Sequence, residues 1–154
     1  MQAFSGTLTS LVAFLALCAG AAATGVFFRP GNWYKTLDKP SWTPPDWLFG
    51  PVWTVLYIMI AVAGWIVWSN ARTSPAMTVW FVQLGLNAVW SFLFFGLHLT
   101  GLALLDIGLM WLASAAFAVM VWPFQPVAAW LFVPYLGWLA YAFALNFAIW
   151  QRNP

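Results

Sequence analysis

The chain has 154 residues, about the length of one domain. Charged residues make up 5% of it and hydrophobic residues 64%, whereas about 25% of a soluble domain is charged. This composition excludes a soluble enzyme and a disordered chain, and the net charge of +2 is too small for a nucleic-acid-binding face. It predicts an integral membrane protein. With 13 Trp, 14 Phe and 4 Tyr, much of the apolar surface consists of flat rings.

Charged residues and prolines divide the sequence into five hydrophobic stretches, each long enough to cross about 30 Å of hydrocarbon as a helix. The predicted spans cover, approximately, residues 4–28, 48–69, 77–97, 101–121 and 127–150. Two prolines, Pro123 and Pro126, separate the last two spans. The predicted fold is therefore an all-α membrane protein, a bundle of five transmembrane helices in a single domain over residues 1–154.

The first span is predicted to be a retained helix rather than a signal peptide, because no charged residue precedes Arg29. Within it, Cys18 lies among Leu, Ala and Gly and is expected to be a buried small residue. Five spans place Arg29, Lys35, Lys39 and Arg152 on one side of the membrane and Arg72 on the other. For a cytoplasmic membrane, the positive-inside rule then predicts the N-terminus outside and the C-terminus inside.

The loop between the first two spans, residues 29–47, contains four prolines and three tryptophans. Proline lowers the entropy of the free loop, and the indole rings provide surface for packing. We therefore predict a structured lid over one end of the bundle. The alternative is an interfacial belt of aromatic residues with Lys and Arg anchors.

Few polar residues lie within the spans, and their spacing predicts which helix faces are buried. In the third span Gln83, Asn87 and Trp90 share one face, which should point into the bundle because amides are costly in hydrocarbon. The matching faces are Trp53 with Tyr57 in the second span and Trp130, Pro134 and Trp138, flanked by Tyr141 and Asn146, in the fifth. Such faces can line an aromatic cavity for a flat apolar ligand with peripheral polar groups. They can equally form an interhelical hydrogen-bond ladder with core aromatics.

Two isolated polar residues each allow two interpretations. Asp106, inside the fourth span, is either a proton or ligand partner or a helix-packing hydrogen bond. His98, in the turn between the third and fourth spans, is either an exposed loop residue or a contact to a haem or porphyrin metal. The sequence contains no catalytic motif and no metal-site spacing.

Small residues recur at every fourth position on two spans, a spacing that permits close helix approach. They are Ala16, Gly20 and Thr24 on the first span and Ala140, Ala144 and Ala148 on the fifth. We expect most of them to pack within the monomer, and a homodimer is the alternative.

A specific pattern occupies the first loop and extends along the chain. In the loop it comprises Trp33-Tyr34, Leu37 and Lys39-Pro40-Ser41-Trp42-Thr43-Pro44-Pro45. Beyond the loop it includes Pro51, Trp53, Leu56, Tyr57, Gln83, Asn87, Trp90, Phe95, Gly96, Pro134, Tyr135, Trp138, Leu145 and Asn146. The pattern resembles the tryptophan-rich sensory protein or translocator protein family (TspO/MBR, the peripheral-type benzodiazepine receptor).

This resemblance implies a five-helix bundle whose ligand cavity is capped by the first loop. It implies porphyrin or haem as ligand, with no obligatory cofactor, and places the family's pocket residues on Tyr34, Trp53, Asn87 and Trp138. Combined with the helix faces above, the predicted ligand-binding residues are Tyr34, Pro44, Trp53, Tyr57, Gln83, Asn87, Trp90, Trp138, Tyr141 and Asn146.

The expected function is that of a membrane receptor or transporter-like protein that binds tetrapyrroles, with a role in tetrapyrrole handling or stress sensing. One alternative is a light-dependent porphyrin-degrading enzyme, in which Trp53 and Trp138 would be catalytic. A second is a structural or partner-binding bundle. Membrane lipid is an expected partner, whereas sterol is not, because Phe147 stands where animal members have Tyr and Arg152 is displaced by one position. The short chain is more typical of a bacterial member than of a mitochondrial one.

Overall fold

The computed structural model describes residues 8–154, and all regular structure in that range is helical. The helices are α1 (Leu8–Phe27), α2 (Asn32–Thr36), α3 (Asp46–Ala71), α4 (Pro75–Ser91), α5 (Thr100–Val121) and α6 (Pro126–Arg152), and a π-helical turn (Phe92–Gly96) continues α4. Five of these segments, all except α2, are long and apolar enough to cross a membrane. The prediction of an all-α membrane protein with five spans is thus confirmed. The predicted start of the first span, near residue 4, lies outside the described residues.

Prolines set several of the helix ends. Pro75 and Pro126 each begin a helix, where the missing N–H is not needed. Ser74 caps α4, since its hydroxyl accepts a hydrogen bond from the backbone N–H of Ala76 at 3.3 Å. Helix α3 extends two residues beyond its predicted span at each end, and α6 extends one residue at its start and two at its end, because both helices continue into the polar flanking residues.

The five long helices form a closed ring. Going around it, α1 packs on α3, α3 on α6, α6 on α5, α5 on α4, and α4 again on α1. Long apolar side chains cover the outside, for example Leu105, Leu112 and Val119, which are all exposed in the isolated chain. Lipid is the solvent that suits this surface.

Aromatic side chains fill the half of the helix bundle that is far from the first loop. Trp80, Phe117, Phe132 and Tyr135 are fully buried there, and the indole N–H of Trp80 donates to the backbone carbonyl of Ile60 at 3.0 Å. This half is a close-packed core, and it leaves the space for a site to the other half.

The first loop, the turn between α4 and α5 and the C-terminus meet at one end of the bundle, here called the lid end. Trp33 stacks on His98 with ring centroids 3.9 Å apart. The backbone N–H of Asp38 donates to the side-chain oxygen of Asn153 at 2.9 Å. Five spans require this shared end, whichever side of the membrane it faces.

The small-residue seams lie differently from expectation. Ala16 and Gly20 on α1, and Ala140 and Ala144 on α6, are exposed in the monomer, so the expectation that most of these residues pack within it was wrong. The buried side of α1 instead carries Phe14 and Cys18, and the buried side of α6 carries Leu145 and Ile149.

Candidate ligand cavity

A cavity of about 600 Å³ occupies the lid-end half of the ring. Residues of α1, α3, α4, the π-helical turn and α6 form its walls, and Ile107 and Met110 of α5 complete them. Eight aromatic residues are among those that line it: Tyr34, Phe49, Trp53, Tyr57, Trp90, Phe94, Phe95 and Trp138. Its volume lies within the range of about 300–1,000 Å³ typical of small-molecule sites.

The two predicted pocket tryptophans face the same cavity from neighbouring helices. Trp53 of α3 and Trp138 of α6 have ring centroids 6.5 Å apart at an interplanar angle of 90°. Phe49 packs against Trp138 and Tyr57 against Trp53, at 5.8 and 5.4 Å between centroids. The indole nitrogen of Trp138 is buried and has no hydrogen-bond partner among the described residues.

A chain of hydrogen bonds runs from the cavity wall into the core. The hydroxyl of Tyr57 donates to Asn87 Oδ1 at 2.5 Å. Asn87 Nδ2 then donates to the hydroxyl of Tyr135 at 2.8 Å, and that hydroxyl donates to Gln83 Oε1 at 3.0 Å. Gln83 Nε2 is buried and has no partner among the described residues. The chain links three spans, α3, α4 and α6.

A second polar contact closes the lid-end half. Trp90 Nε1 donates to Asn146 Oδ1 at 3.1 Å, and Asn146 Nδ2 donates to the backbone carbonyl of Thr100 at 2.9 Å. Asn87, Trp90 and Asn146 therefore both line the cavity and bond between helices. The two interpretations of the polar stripe, a cavity wall and a hydrogen-bond ladder, apply together.

Three predicted site residues lie away from the cavity wall. Gln83 is fully buried below it. Pro44 is part of the first loop, and Tyr141 of α6 contacts that loop, since its hydroxyl donates to the backbone carbonyl of Trp42 at 2.7 Å. The other seven, Tyr34, Trp53, Tyr57, Asn87, Trp90, Trp138 and Asn146, line the cavity together.

The face predicted for the fifth span was partly wrong. Trp130 is 61% exposed, and it packs against Trp122 near the opposite end of the bundle. Pro134 is also exposed. The buried stripe of α6 instead passes through Tyr135, which the set of predicted site residues omitted. Its presence in the family pattern was the available signal.

The first loop folds around the buried ring of Tyr34. This ring, on α2, packs against Phe94 and Phe95 of the π-helical turn, with centroids 6.3 and 5.5 Å away. The Nζ atom of Lys39 donates to the Tyr34 carbonyl at 2.6 Å and lies 4.5 Å from the ring centroid. Burial, and after it the nearby Asp46 and Tyr141, raise the pKa of Tyr34 to about 12.

Asn153 fastens the loop to the end of α6. Its amide accepts from the N–H of Asp38 and donates to the Asp38 carbonyl at 3.0 Å, and it also donates to the carbonyl of Ile149 at 2.8 Å. Beside it, Arg152 pairs with the Asp38 carboxylate at 3.5 Å. We call these contacts of Asn153 and Arg152 with Asp38 the latch.

The two isolated polar residues lie outside the cavity wall. His98 is exposed, has a backbone φ of 60° and stacks on Trp33. Asp106 is buried, and its Oδ2 has no hydrogen-bond partner among the described residues. Within residues 8–154, no group of three or more His, Cys, Asp or Glu side chains is placed to hold a metal ion.

The fold and the cavity define a multi-pass helical membrane protein with an aromatic internal site. The sequence description of the TspO/MBR family matches residues 11–151. The chain is similar to Protein CrtK of Rhodobacter capsulatus, with 38% identity over 152 residues, 96% of this chain and 95% of that one. It is 40% identical to the tryptophan-rich protein TspO of Archaeoglobus fulgidus, covering 95% and 98% of the two chains. It is 39% identical to the human translocator protein, covering 79% and 75%. The chain belongs to the TspO/MBR family.

Proposed function

We propose that this protein is a membrane receptor or transporter that binds a tetrapyrrole, a porphyrin or haem, in the aromatic cavity. A receptor- or transporter-like role in the membrane is what membership of the TspO/MBR family supports. The cavity supports the proposed ligand class, since a flat apolar macrocycle can stack on the aromatic side chains that line it. Its polar edge would find hydrogen-bond groups on the same walls.

The observation that carries the proposal is the corner formed by Trp53 and Trp138. Two indole rings at right angles, 6.5 Å apart, offer a face and an edge to one planar ligand. The buried N–H of Trp138, without a partner among the described residues, is a donor that an acceptor atom of a ligand could satisfy.

The lid supports a second part of the proposal, that residues 29–47 cap the cavity. Tyr34 belongs both to the lid and to the cavity wall, and the latch together with Tyr141 fastens the loop to α6. On the outer side, Ala19 of α1 and Thr54 of α3 line the cavity and are also exposed.

The test is a dark titration of the purified protein with protoporphyrin, followed by tryptophan quenching. Trp53→Phe and Trp138→Phe are compared with Trp122→Phe, a partly exposed indole far from the cavity. We expect saturable quenching that the first two changes weaken and the third leaves in place. Quenching that does not saturate, or that all three changes leave alike, would show partition into detergent and would favour a structural bundle.

Light-dependent porphyrin degradation is the second candidate, favoured by the same two indoles next to the proposed macrocycle. Illumination of the titrated sample tests it. A new absorbing product that Trp53→Phe or Trp138→Phe abolishes, while dark binding survives, would support an enzyme. A product formed at the same rate without protein would refute it.

The orientation of the protein in the membrane and its oligomeric state are also proposals. The excess of Lys and Arg at the lid end favours a C-terminus inside a cytoplasmic membrane. A cysteine substituted at Lys35 should then label only from the inside and one substituted at Arg72 only from the outside, and the reverse pattern would overturn this orientation. The homodimer stays a prediction, to be tested by the mass of the detergent-solubilised protein.

A further inference from the structure

Tyr141 of α6 lies between the first loop and the cavity wall, and it is not itself among the residues that line the cavity. On the loop side, its hydroxyl donates to the backbone carbonyl of Trp42 at 2.7 Å, and the two rings pack with centroids 5.7 Å apart at 65°. On the cavity side, its ring packs on that of Trp138, three residues earlier in α6, with centroids 5.6 Å apart at 37°. One side chain therefore contacts both the loop and an indole of the proposed site.

The indole of Trp138 depends on neighbouring rings for its orientation. Its Nε1 atom is buried and has no hydrogen-bond partner among the described residues. Three rings of the described residues pack around it instead: those of Phe49, with centroids 5.8 Å apart, Trp53, at 6.5 Å, and Tyr141. Of these three, Tyr141 is the residue whose side chain hydrogen-bonds to the first loop. A change in the position of the loop therefore reaches Trp138 through Tyr141.

We propose that Tyr141 is a positioning residue that couples the first loop to the ligand site. It holds the Trp138 indole in its binding orientation while the loop is docked, and it releases the indole when the loop detaches. This inference rests on the proposed tetrapyrrole function and deepens it. Detachment of Trp42 removes both the acceptor of the Tyr141 hydroxyl and a ring beside it, so the Tyr141 ring is then free to turn. Because coupling between two sites is reciprocal, a ligand that fixes Trp138 should in turn slow detachment of the loop.

The experiment measures hydrogen exchange of peptides spanning residues 41–43, in the dark, without and with saturating protoporphyrin, alongside the Kd from tryptophan quenching. Two variants separate the contacts of Tyr141: Tyr141→Phe removes the bond to the Trp42 carbonyl and keeps the ring, whereas Tyr141→Leu removes both. The matched control is Phe147→Leu. It removes a ring that packs on Trp150, also three residues away on α6, with centroids 6.1 Å apart and outside the cavity.

In the wild type, protoporphyrin should slow this exchange by at least about fivefold, the lower end of typical coupling between two sites. Tyr141→Leu should reduce the slowing to less than about twofold and raise the Kd about 2- to 10-fold, the effect of losing one aromatic pair. Phe147→Leu should retain the wild-type values of both. Tyr141→Phe should speed exchange of the ligand-free protein about 2- to 10-fold, the effect of one lost hydrogen bond, and should weaken binding less than Tyr141→Leu does.

Slowing by the ligand that Tyr141→Leu retains, or that Phe147→Leu loses to the same extent, would overturn the coupling through Tyr141. Saturable binding in the wild type without any slowing of loop exchange would overturn it as well, while the proposed ligand would stand. An unchanged exchange rate in ligand-free Tyr141→Phe would contradict the role of the hydroxyl independently of any ligand. Absence of saturable binding in the wild type would instead refute the tetrapyrrole function itself.

Discussion

From the contacts of the latch we predict that the neutral side chain of Asn153 holds the first loop more firmly than the ion pair between Arg152 and Asp38 does. Asn153→Ala removes two hydrogen bonds to the main chain of Asp38. At about 0.5–1.5 kcal/mol each, and because both are exposed, their loss should cost about 1–2 kcal/mol. Arg152→Gln removes a 3.5 Å ion pair whose side chains are 46% and 64% exposed, and such pairs contribute about 0–1 kcal/mol.

Hydrogen exchange of the Asp38 amide measures this difference directly, because that N–H is the donor to Asn153. A loss of about 1–2 kcal/mol corresponds to about 5- to 30-fold more frequent opening. Asn153→Ala should therefore raise the exchange rate of peptides spanning residues 37–39 by about that factor, and Arg152→Gln should raise it less than fivefold.

Asn70→Ala is the matched control. Its amide donates to the carbonyl of Ile66, four residues earlier, at 2.7 Å. Asn153 makes the same kind of bond to the carbonyl of Ile149, but Asn70 lies at the opposite end of the bundle. The control should leave exchange in the loop unchanged. An effect of Arg152→Gln equal to or larger than that of Asn153→Ala would refute the assignment of the latch to the amide.

Two further predictions concern the scaffold and the lid ring. Gly64→Ala should destabilise the bundle by about 1–3 kcal/mol in thermal unfolding, because the added Cβ would lie 2.5 Å from Trp80 Cε2. The control is Gly85→Ala, whose added Cβ would have no atom within 4 Å and which should be neutral or stabilising. Equal effects of the two changes would contradict the packing of Gly64 against Trp80. Tyr34 is buried as the neutral phenol, so its contribution to stability should be complete below its ordinary pKa of 10 and lost as pH rises to about 12. The tyrosinate absorbance of wild type minus Tyr34→Phe should show that midpoint, and a midpoint near 10 would contradict the burial.

The span pattern was predictable because lipid imposes it. Backbone groups in hydrocarbon must bond within a helix, so charges and prolines mark the ends of each span, as at Pro75 and Pro126. The short helix Asn32–Thr36 was not predicted, because five residues are too few to show a helical period. The π-helical turn, also five residues long, was not predicted either, because its spacing differs from that of an α-helix by less than one residue per turn.

The site was predictable in part, and the errors have a common cause. Polar residues on α4 could be assigned to the interior because exposure to lipid is costly. On α6 nearly every position is apolar or aromatic, so the sequence does not distinguish the stripe through Trp130 from the one through Tyr135. The neighbours of each side chain distinguish the two stripes: Tyr135 hydrogen-bonds to Asn87 and Gln83, whereas Trp130 is exposed and packs against Trp122.

Among the residues that line the cavity, hydrogen bonding separates the polar groups that have a partner from the one buried side-chain group that has none among the described residues. The chain from Tyr57 through Asn87 to Tyr135 pairs each donor with an acceptor on another span, which a purely structural bundle needs as much as a receptor does. Trp138 differs, because its buried N–H has no acceptor among the described residues, and such a group costs about 1–3 kcal/mol. Packing gains nothing from that nitrogen, since Phe would fill much of the same space without the penalty. Loss of binding in Trp138→Phe is therefore stronger evidence for a ligand than loss of binding in any variant of Asn87, whose removal also breaks the scaffold.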